Sequence, residues 1–299
     1  MTRPERWAAR INELVGTSAD TAGGLAMPVG TDRLIIGQAD GVVRCLELAT
    51  GETVWTGSER HETVLQTVAS SPDGRLIATS ASDRMIRVWD AATGAVIARF
   101  AHPATSYDVR FSPDGERLAV ACTDDTVGVY RLGSDQRIMT CEGHEAWPMS
   151  VDWSPRGDRI VSVGNDSTLR IWDATTGVEL IRRELEGRSQ AVAWSTTDQI
   201  AVGLEDGVIP LIDASGPLIE VVRLRPNADE IYSLQWAAGG QRLAVGAFEA
   251  VVVFDQRGGR QIARFDVDTL AHRIAWSPDA TIVGASLCGD RVRLWDVPA

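Results

Sequence analysis

Three of the four histidines in this 299-residue chain stand at one recurring position. His61, His102 and His144 each precede a Ser-Pro dipeptide by ten residues, and serine, threonine and aspartate follow them closely. Histidine, a hydroxyl and a carboxylate are the residue types of nucleophilic catalysis. A hydrolase would also need open space in front of the hydroxyl and oxyanion donors beside it. Whether these residues have a catalytic or a structural role therefore depends on the secondary-structure elements that position them.

Other chemical motifs are missing from the sequence. It contains no glycine-rich phosphate loop, no H-E-x-x-H and no EF-hand spacing. The four cysteines, Cys45, Cys122, Cys141 and Cys288, lie far apart and form no C-x-x-C pair. Neither a disulfide framework nor a zinc site is predicted from that spacing. We therefore expect no metal, no cofactor and no catalytic residue.

The net charge and the composition argue against several kinds of binding partner. The net charge is −12 and the pI is about 4.8, which argues against nucleic acid and against an anionic membrane surface. No stretch has the ~18–20 consecutive apolar residues of a membrane span. The start, MTRPERWAARINELVG, lacks the apolar region of a secretory signal, so we expect a cytoplasmic protein. All 29 basic residues are arginine, which favours a GC-rich bacterial source.

An internal repeat organises the chain. A Ser-Pro-Asp-Gly-like turn recurs at 71–74, 112–115, 154–157, 195–198, 237–240 and 277–280. A β-branched run that ends in Trp-Asp or a similar pair recurs at 88–90, 129–131, 171–173, 211–213, 253–255 and 294–296. Both markers keep steps of 40 to 42 residues, and residues 33–52 align with 76–95 as a further, degenerate copy. Seven copies of this length are typical of four-stranded propeller blades.

Each copy has the pattern of four short strands joined by tight turns. Copy four shows SVDW, the SPRG turn, DRIVSVG, the NDST turn, LRIWD, a TTG turn and VELIRRE. Asp-Gly and Thr-Gly corners supply the backbone angles of tight hairpins, and the strands are rich in β-branched and aromatic residues. We therefore predict an all-β fold: a seven-bladed β-propeller of four-stranded antiparallel blades in a single domain, 1–299.

The two ends of the chain are predicted to meet in the last blade. The chain stops after the third strand of copy seven, and AARI at 8–11 resembles IARF at 97–100 and 262–265, which occupy the fourth-strand position. Residues 6–13 would complete the last blade and close the ring. The predicted blades are about 20–57, 62–101, 103–142, 145–186, 188–226, 229–268, and 270–297 plus 6–13.

With its Trp-Asp endings, its Ser-Pro-Asp-Gly turns and the upstream histidines, the whole chain resembles the WD-repeat propeller family, as a stand-alone bacterial-type member. The resemblance implies that histidine, hydroxyl, aspartate and tryptophan form a structural hydrogen-bond network in a regular blade. Carried over by position, the network consists of His61, Thr79, Asp83 and Trp89 in copy two, and His144, Ser162, Asp166 and Trp172 in copy four. In copy three, Val120 and Tyr130 replace the hydroxyl and the tryptophan, so that network is predicted to be incomplete.

The resemblance also implies a place for partner binding. In this family the face of the ring at the entrance to the innermost strands is the common interaction surface. Five residues fall there, from copies three, four, six and seven: Tyr107, Trp147, Met149, Tyr232 and His272. Aromatic residues and methionine are enriched at protein interfaces, although ordinary loop packing would also use them.

Two functions remain open at this point. In the first, the chain is a non-enzymatic scaffold, a monomeric ring that binds a protein or peptide on this face. In the second, the mouth of the central channel holds a small molecule, or is an active site in which His272 acts as acid or base. The sequence favours the scaffold, because no motif specifies a reaction.

Overall fold

The computed structural model describes residues 23–134, 136–255, 259–288 and 291–298. All secondary-structure elements in these ranges are β-strands. This agrees with the prediction from the β-branched runs separated by turns. The strands pair antiparallel in sheets, and the sheets are arranged as a β-propeller.

Sheet one contains β1 (Leu25–Ala26), β2 (Arg33–Gly37), β3 (Val42–Glu47) and β4 (Thr53–Arg60). Sheet two contains β5 (Leu65–Ser70), β6 (Leu76–Ala81), β7 (Met85–Asp90) and β8 (Val96–Ala101). Sheet three contains β9 (Ser106–Phe111), β10 (Arg117–Cys122), β11 (Thr126–Arg131) and β12 (Arg137–Glu142). Sheet four contains β13 (Pro148–Trp153), β14 (Arg159–Gly164), β15 (Thr168–Asp173) and β16 (Glu179–Glu184).

Sheet five contains β17 (Ser189–Trp194), β18 (Gln199–Leu204), β19 (Ile209–Asp213) and β20 (Ile219–Leu224). Sheet six contains β21 (Ile231–Trp236), β22 (Arg242–Asp255), β23 (Arg260–Trp276), β24 (Ile282–Leu287) and β25 (Arg291–Asp296). The strand order within each sheet follows the chain.

The prediction of seven four-stranded blades is wrong. The described strands form six sheets, because copies six and seven of the repeat share one sheet of five strands. Copies three and four have proline or glycine between the fourth strand and the next first strand, whereas residues 266–270 read DVDTL. Without a residue that breaks a strand, β23 runs from one copy into the next. The pairing of Phe248 with Leu270 continues the β22–β23 ladder across the junction.

The ring closes by packing of its first sheet on its last. The innermost strands of successive repeat copies contact each other in chain order, from β1 through β5, β9, β13, β17 and β21 to β23. Strand β1 in turn contacts β23 and β24. The strand predicted from residues 6–13 lies outside the described residues.

Tryptophans at the ends of the innermost strands join neighbouring sheets. Trp153 Nε1 donates to the carbonyl of Arg110 at 3.1 Å, and Trp236 Nε1 donates to that of Ala193 at 3.1 Å. Each indole is thus anchored on the preceding sheet while its ring packs against the core. An indole N–H that is buried needs such an acceptor.

Candidate functional site

The histidine set of copy two forms a continuous hydrogen-bonded chain. Trp89 Nε1 donates to Thr79 Oγ1 at 2.9 Å, and Thr79 Oγ1 lies 2.8 Å from His61 Nε2. His61 Nδ1 lies 2.9 Å from Asp83 Oδ2. Burial lowers the pKa of His61 to about 4, so the ring is neutral at pH 7. Its single N–H then points from Nδ1 to Asp83, and Nε2 accepts the Thr79 hydroxyl proton.

Copy four repeats the arrangement with serine in place of threonine. Trp172 Nε1 donates to Ser162 Oγ at 2.8 Å, and Ser162 Oγ lies 2.7 Å from His144 Nε2. His144 Nδ1 lies 2.9 Å from Asp166 Oδ2. Burial works against ionisation of Asp166, but hydrogen bonds from His144 and the loop backbone hold its pKa well below the usual value.

These two sets cannot supply a nucleophile to a substrate. The side chains of Thr79 and Ser162 are fully buried, and each hydroxyl is engaged by a tryptophan N–H on one side and a histidine on the other. A serine nucleophile needs free space for the attacked carbon and donors for the oxyanion. The geometry instead ties the third strand of each blade to the loop that carries the histidine.

In copy three a thiol takes the place of the missing hydroxyl. Cys122 Sγ lies 2.8 Å from His102 Nε2, while Tyr130 replaces the tryptophan and packs on the histidine ring at 5.8 Å between centroids. Burial raises the pKa of Cys122, so the sulfur carries its proton and is not a thiolate nucleophile. The repeat pattern places the hydroxyl at the position of Val120. Cys122 stands two residues further along the same strand and therefore on the same side, which is the feature of the sequence that indicates the thiol.

A β-bulge sets the orientation of the predicted binding residues. The pairing of the first strand with the second shifts between Pro148 and Ser150 in sheet four, and shifts at the same point in the other repeat copies with a full first strand. The residue skipped by the ladder is the one five positions before the Ser-Pro turn, for example Met149. An extra residue in one strand breaks the two-residue alternation and redirects its side chain. Alternation read from the sequence therefore does not fix where these side chains point.

Tyr107 and Trp147 come together on this face. Their ring centroids are 6.0 Å apart at an interplanar angle of 37°, within the range of favourable aromatic pairs. Trp147 is 45% exposed, although an indole is among the largest apolar side chains. Met149, two residues after Trp147 on β13, is half-buried. The loop before β13 thus presents an aromatic surface to solvent.

The other two predicted residues do not form such a pair. The Tyr232 hydroxyl donates to Glu230 in its own copy, and burial together with that carboxylate raises the pKa of the phenol. Burial and the Arg273 guanidinium lower the pKa of His272 to about 3, so its ring is neutral. Among the described residues, Tyr232 and His272 have no ring contact with each other.

An arginine that sequence reasoning did not select reaches across the ring. Arg273 Nη2 donates to the carbonyl of Tyr107 at 2.8 Å. Arg273 lies on β23 and Tyr107 on β9, the innermost strands of copies seven and three, which are not neighbours in the ring. The sequence offers no signal for this contact, because the two residues are 166 positions apart.

Polar groups inside the channel link successive innermost strands. Ser150 Oγ donates to Asp108 Oδ2 at 2.9 Å, and the backbone N–H of Val192 donates to Ser150 Oγ at 3.2 Å. Asp152 Oδ2 accepts the backbone N–H of Trp194 at 2.7 Å. Burial raises the pKa of Asp152 to about 6 despite the nearby Arg110 guanidinium.

A second exposed aromatic residue lies on the same face and was missed by sequence reasoning. Phe248 is 47% exposed and pairs with Leu270, seven positions before the last Ser-Pro-like turn. It lines a surface cavity of about 360 Å³ between copies five and six. The charged side chains around this cavity are Asp206, Arg225, Asp229, Glu249 and Arg264.

Metal-binding clusters and membrane-spanning helices are both absent from the described residues. No cluster of three or more His, Cys, Asp or Glu side chains in these ranges could hold a metal ion. The same part of the chain contains no helix long and apolar enough to cross a membrane.

Comparison with known proteins identifies part of the repeat. Residues 51–90, 94–131 and 135–173 match WD40, described as WD domain, G-beta repeat. Protein groucho of Drosophila melanogaster is 26% identical over 186 residues, which cover 61% of this chain and 25% of the relative. The Uncharacterized WD repeat-containing protein sll1491 of Synechocystis sp. is 37% identical over 109 residues, 36% of this chain and 31% of the relative.

Transcriptional corepressor LEUNIG_HOMOLOG of Arabidopsis thaliana is 25% identical over 195 residues, covering 63% of this chain and 24% of the relative. The matches therefore span about a quarter to a third of the length of these relatives. Three consecutive copies within this β-propeller are thus WD40 repeats.

Proposed function

We propose that this protein is a non-enzymatic scaffold that binds a protein or peptide on the face centred on Trp147 and Tyr107. The observation that carries the proposal is the exposure of the Trp147 indole, 45%, in a loop where it rests on Tyr107. Its partner ring fixes its position before binding, so less conformational entropy is lost when a partner covers it. Rigid, half-exposed aromatic rings are the usual anchors of protein interfaces.

Phe248 lies on the same face, two copies further along the ring than Trp147. It is the other aromatic side chain among the large exposed apolar residues of the described ranges, and it stands beside a cavity bordered by charged residues. Two aromatic anchors with a polar, concave region near one of them resemble the composition of a protein interface, with an apolar centre and a polar rim.

The relatives are consistent with a binding role. One is named a transcriptional corepressor, another is the U3 small nucleolar RNA-associated protein 4 homolog of Homo sapiens, and neither name describes a catalysed reaction. With a net charge of −12, we favour a protein partner over nucleic acid for this chain. We also propose that it acts as a monomeric ring in the cytoplasm.

A capture experiment with matched variants tests the proposal. Immobilised wild-type protein, Trp147→Ala and Leu180→Ala are incubated with lysate of the source organism, and bound proteins are quantified by mass spectrometry. Leu180 is a control of similar exposure, 47%, on an outermost strand. We expect a partner that wild type and Leu180→Ala retain and that Trp147→Ala loses. Equal retention by Trp147→Ala would exclude this face as the binding site.

A further inference from the structure

The channel contains a guanidinium that is held in place by one hydrogen bond and has no carboxylate of its own. Arg273 Nη2 donates to the Tyr107 carbonyl at 2.8 Å, whereas its Nε is inaccessible to solvent and has no acceptor among the described residues. In the same part of the chain Arg273 takes part in no ion pair, unlike Arg110, which lies 3.6 Å from Asp108. A guanidinium presents five N–H donors, and the described residues accept one hydrogen bond from this group.

The nearest acidic group in the channel is already committed to other donors. Asp108 accepts hydrogen bonds from Ser150 Oγ at 2.9 Å and from the Val151 N–H at 3.3 Å, and it pairs with Arg110. Asp108 attracts Arg273 only at longer range. A partly buried guanidinium without a close counter-ion costs free energy, and a carboxylate that reaches it would lower that cost.

A second unpartnered nitrogen stands next to Arg273. His272 Nδ1 is inaccessible to solvent and has no hydrogen-bond partner within the described ranges. The imidazole is neutral, so it carries one N–H that can serve as a donor beside the guanidinium. Two adjacent residues of β23 therefore offer donors of the kind that recognise a carboxylate.

Tyr107 connects this site to the proposed binding face. Its backbone carbonyl fixes Arg273, and its ring packs on the exposed Trp147. A bound segment that covers Trp147 therefore has the channel mouth directly beside it. The apolar and the charged parts of the surface share one residue.

We propose that the channel mouth binds a carboxylate of the partner peptide, an acidic side chain or the C-terminus, with Arg273 as its anchor and His272 as a second donor. The inference rests on the proposed function for the source of the carboxylate, but its test uses other residues and another probe. If Trp147→Ala keeps its partner but the carboxylate still binds at Arg273, only the proposed function is contradicted. If Trp147→Ala loses its partner but no carboxylate binds at Arg273, only the present inference is contradicted.

The test measures binding of N-acetylphenylalanine, an apolar ring with a carboxylate, by calorimetry and ligand-observed NMR. Its carboxamide is the neutral control ligand. We expect the acid to bind, the amide to bind at least about tenfold more weakly, and Arg273→Gln to lose the difference, because a charge-assisted hydrogen bond is removed in both cases. Arg75→Gln, a change at an exposed arginine in the 71–74 turn region, keeps wild-type binding. Equal binding of acid and amide overturns the proposal, and so does an unchanged affinity in folded Arg273→Gln.

A gain-of-affinity variant protects the test against misfolding of Arg273→Gln. Asp108→Asn removes a negative charge that acts on Arg273, and the amide oxygen can still accept the Ser150 hydroxyl proton. We expect Asp108→Asn to bind the acid several-fold more tightly than wild type at pH 7.5, because the carboxylate that repels the probe is gone.

The other groups that face this site do not obscure that comparison. His272, with a pKa of about 3, is neutral at pH 7.5, and burial raises the pKa of Tyr107 above its ordinary value. The probe carboxylate, with a pKa of about 3.5, is ionised at that pH. No difference in affinity between Asp108→Asn and wild type would contradict the assignment. Acetate binding as tightly as N-acetylphenylalanine would overturn the peptide source in favour of a free carboxylic acid.

Discussion

His144 Nδ1 and Asp166 Oδ2 are 2.9 Å apart in the loop of copy four, and the same pair recurs between His61 and Asp83 in copy two. In both copies the carboxylate also accepts a backbone N–H from the residue after the histidine. The aspartate therefore holds the loop that leads into the innermost strand of its own copy. This relationship makes the pair a stability element with measurable consequences.

Replacing Asp166 with alanine is expected to lower the free energy of unfolding by about 3 kcal/mol, because His144 and the loop N–H groups lose their acceptor inside the protein. The Tm should fall by several degrees, as measured by circular dichroism. Asp206→Ala is the matched control, since Asp206 occupies the same turn in copy five and accepts the Val208 N–H without a histidine. It should cost less than about 1 kcal/mol. Equal losses in the two variants would show that the histidine pair contributes nothing.

Acid is expected to destabilise the protein through His61. The folded-state pKa is about 4, below the ordinary value of 6.5, so the unfolded chain takes up the proton first as the pH falls. The stabilisation is fully present above about pH 6.5 and is lost between about 6.5 and 4, on the order of 2–3 kcal/mol. Urea unfolding at pH 7, 5.5 and 4.5 measures it. His61→Gln should flatten the pH slope, and an unaltered slope in that variant would refute the assignment to His61.

Gly41 is expected to tolerate no side chain. Its φ is +81°, and a Cβ there would lie 2.1 Å from the carbonyl oxygen of His61, at the junction where the His61 N–H donates to the Gly41 carbonyl. Gly41→Ala should cost about 2–5 kcal/mol from backbone strain plus the clash. Gly30→Ala separates the two effects, because Gly30 has a φ of +74° and open space around it. It should cost only about 1 kcal/mol. Similar denaturation midpoints for the two variants would contradict the steric argument.

Thiol accessibility is expected to single out one cysteine. Cys45, Cys122 and Cys141 are fully buried, and burial raises the pKa of each thiol, whereas Cys288 is partly exposed. Ellman's reagent should titrate one thiol in the native protein and four after unfolding, because only an accessible thiolate reacts. Cys288→Ser should show none in the native state. A rapid reaction of that variant would mean that one of the other three sites opens easily.

The sequence predicted the features that depend on local spacing. Turn residues and β-branched runs recur at a fixed period, so the all-β propeller and its strands follow from short stretches of chain. The positions of His61, Thr79, Asp83 and Trp89 follow from resemblance to a repeat. The structure brings these four side chains together through the hydrogen bonds described above. The members of this network stand at fixed offsets within one repeat. The network can therefore be predicted from the sequence of a single copy.

The features that depend on contacts between repeat copies were determined only by the tertiary structure. The number of sheets changed from seven to six because a five-residue junction without glycine or proline let β23 continue between copies. Phe248 pairs with Leu270 in the same fused sheet. The thiol of Cys122 near His102 depends on which side of a strand faces the loop.

The contact between Arg273 and Tyr107 depends on closure of the ring. Residues 166 positions apart meet only when every intervening sheet has packed on its neighbour. No local sequence pattern predicts how all of these sheets are oriented relative to one another. The sequence by itself therefore determined the repeat, the strands and the internal network of a blade, because these arise within about 40 residues. Closure of the ring decided the contents of the channel, because those contacts join strands that the chain order keeps apart.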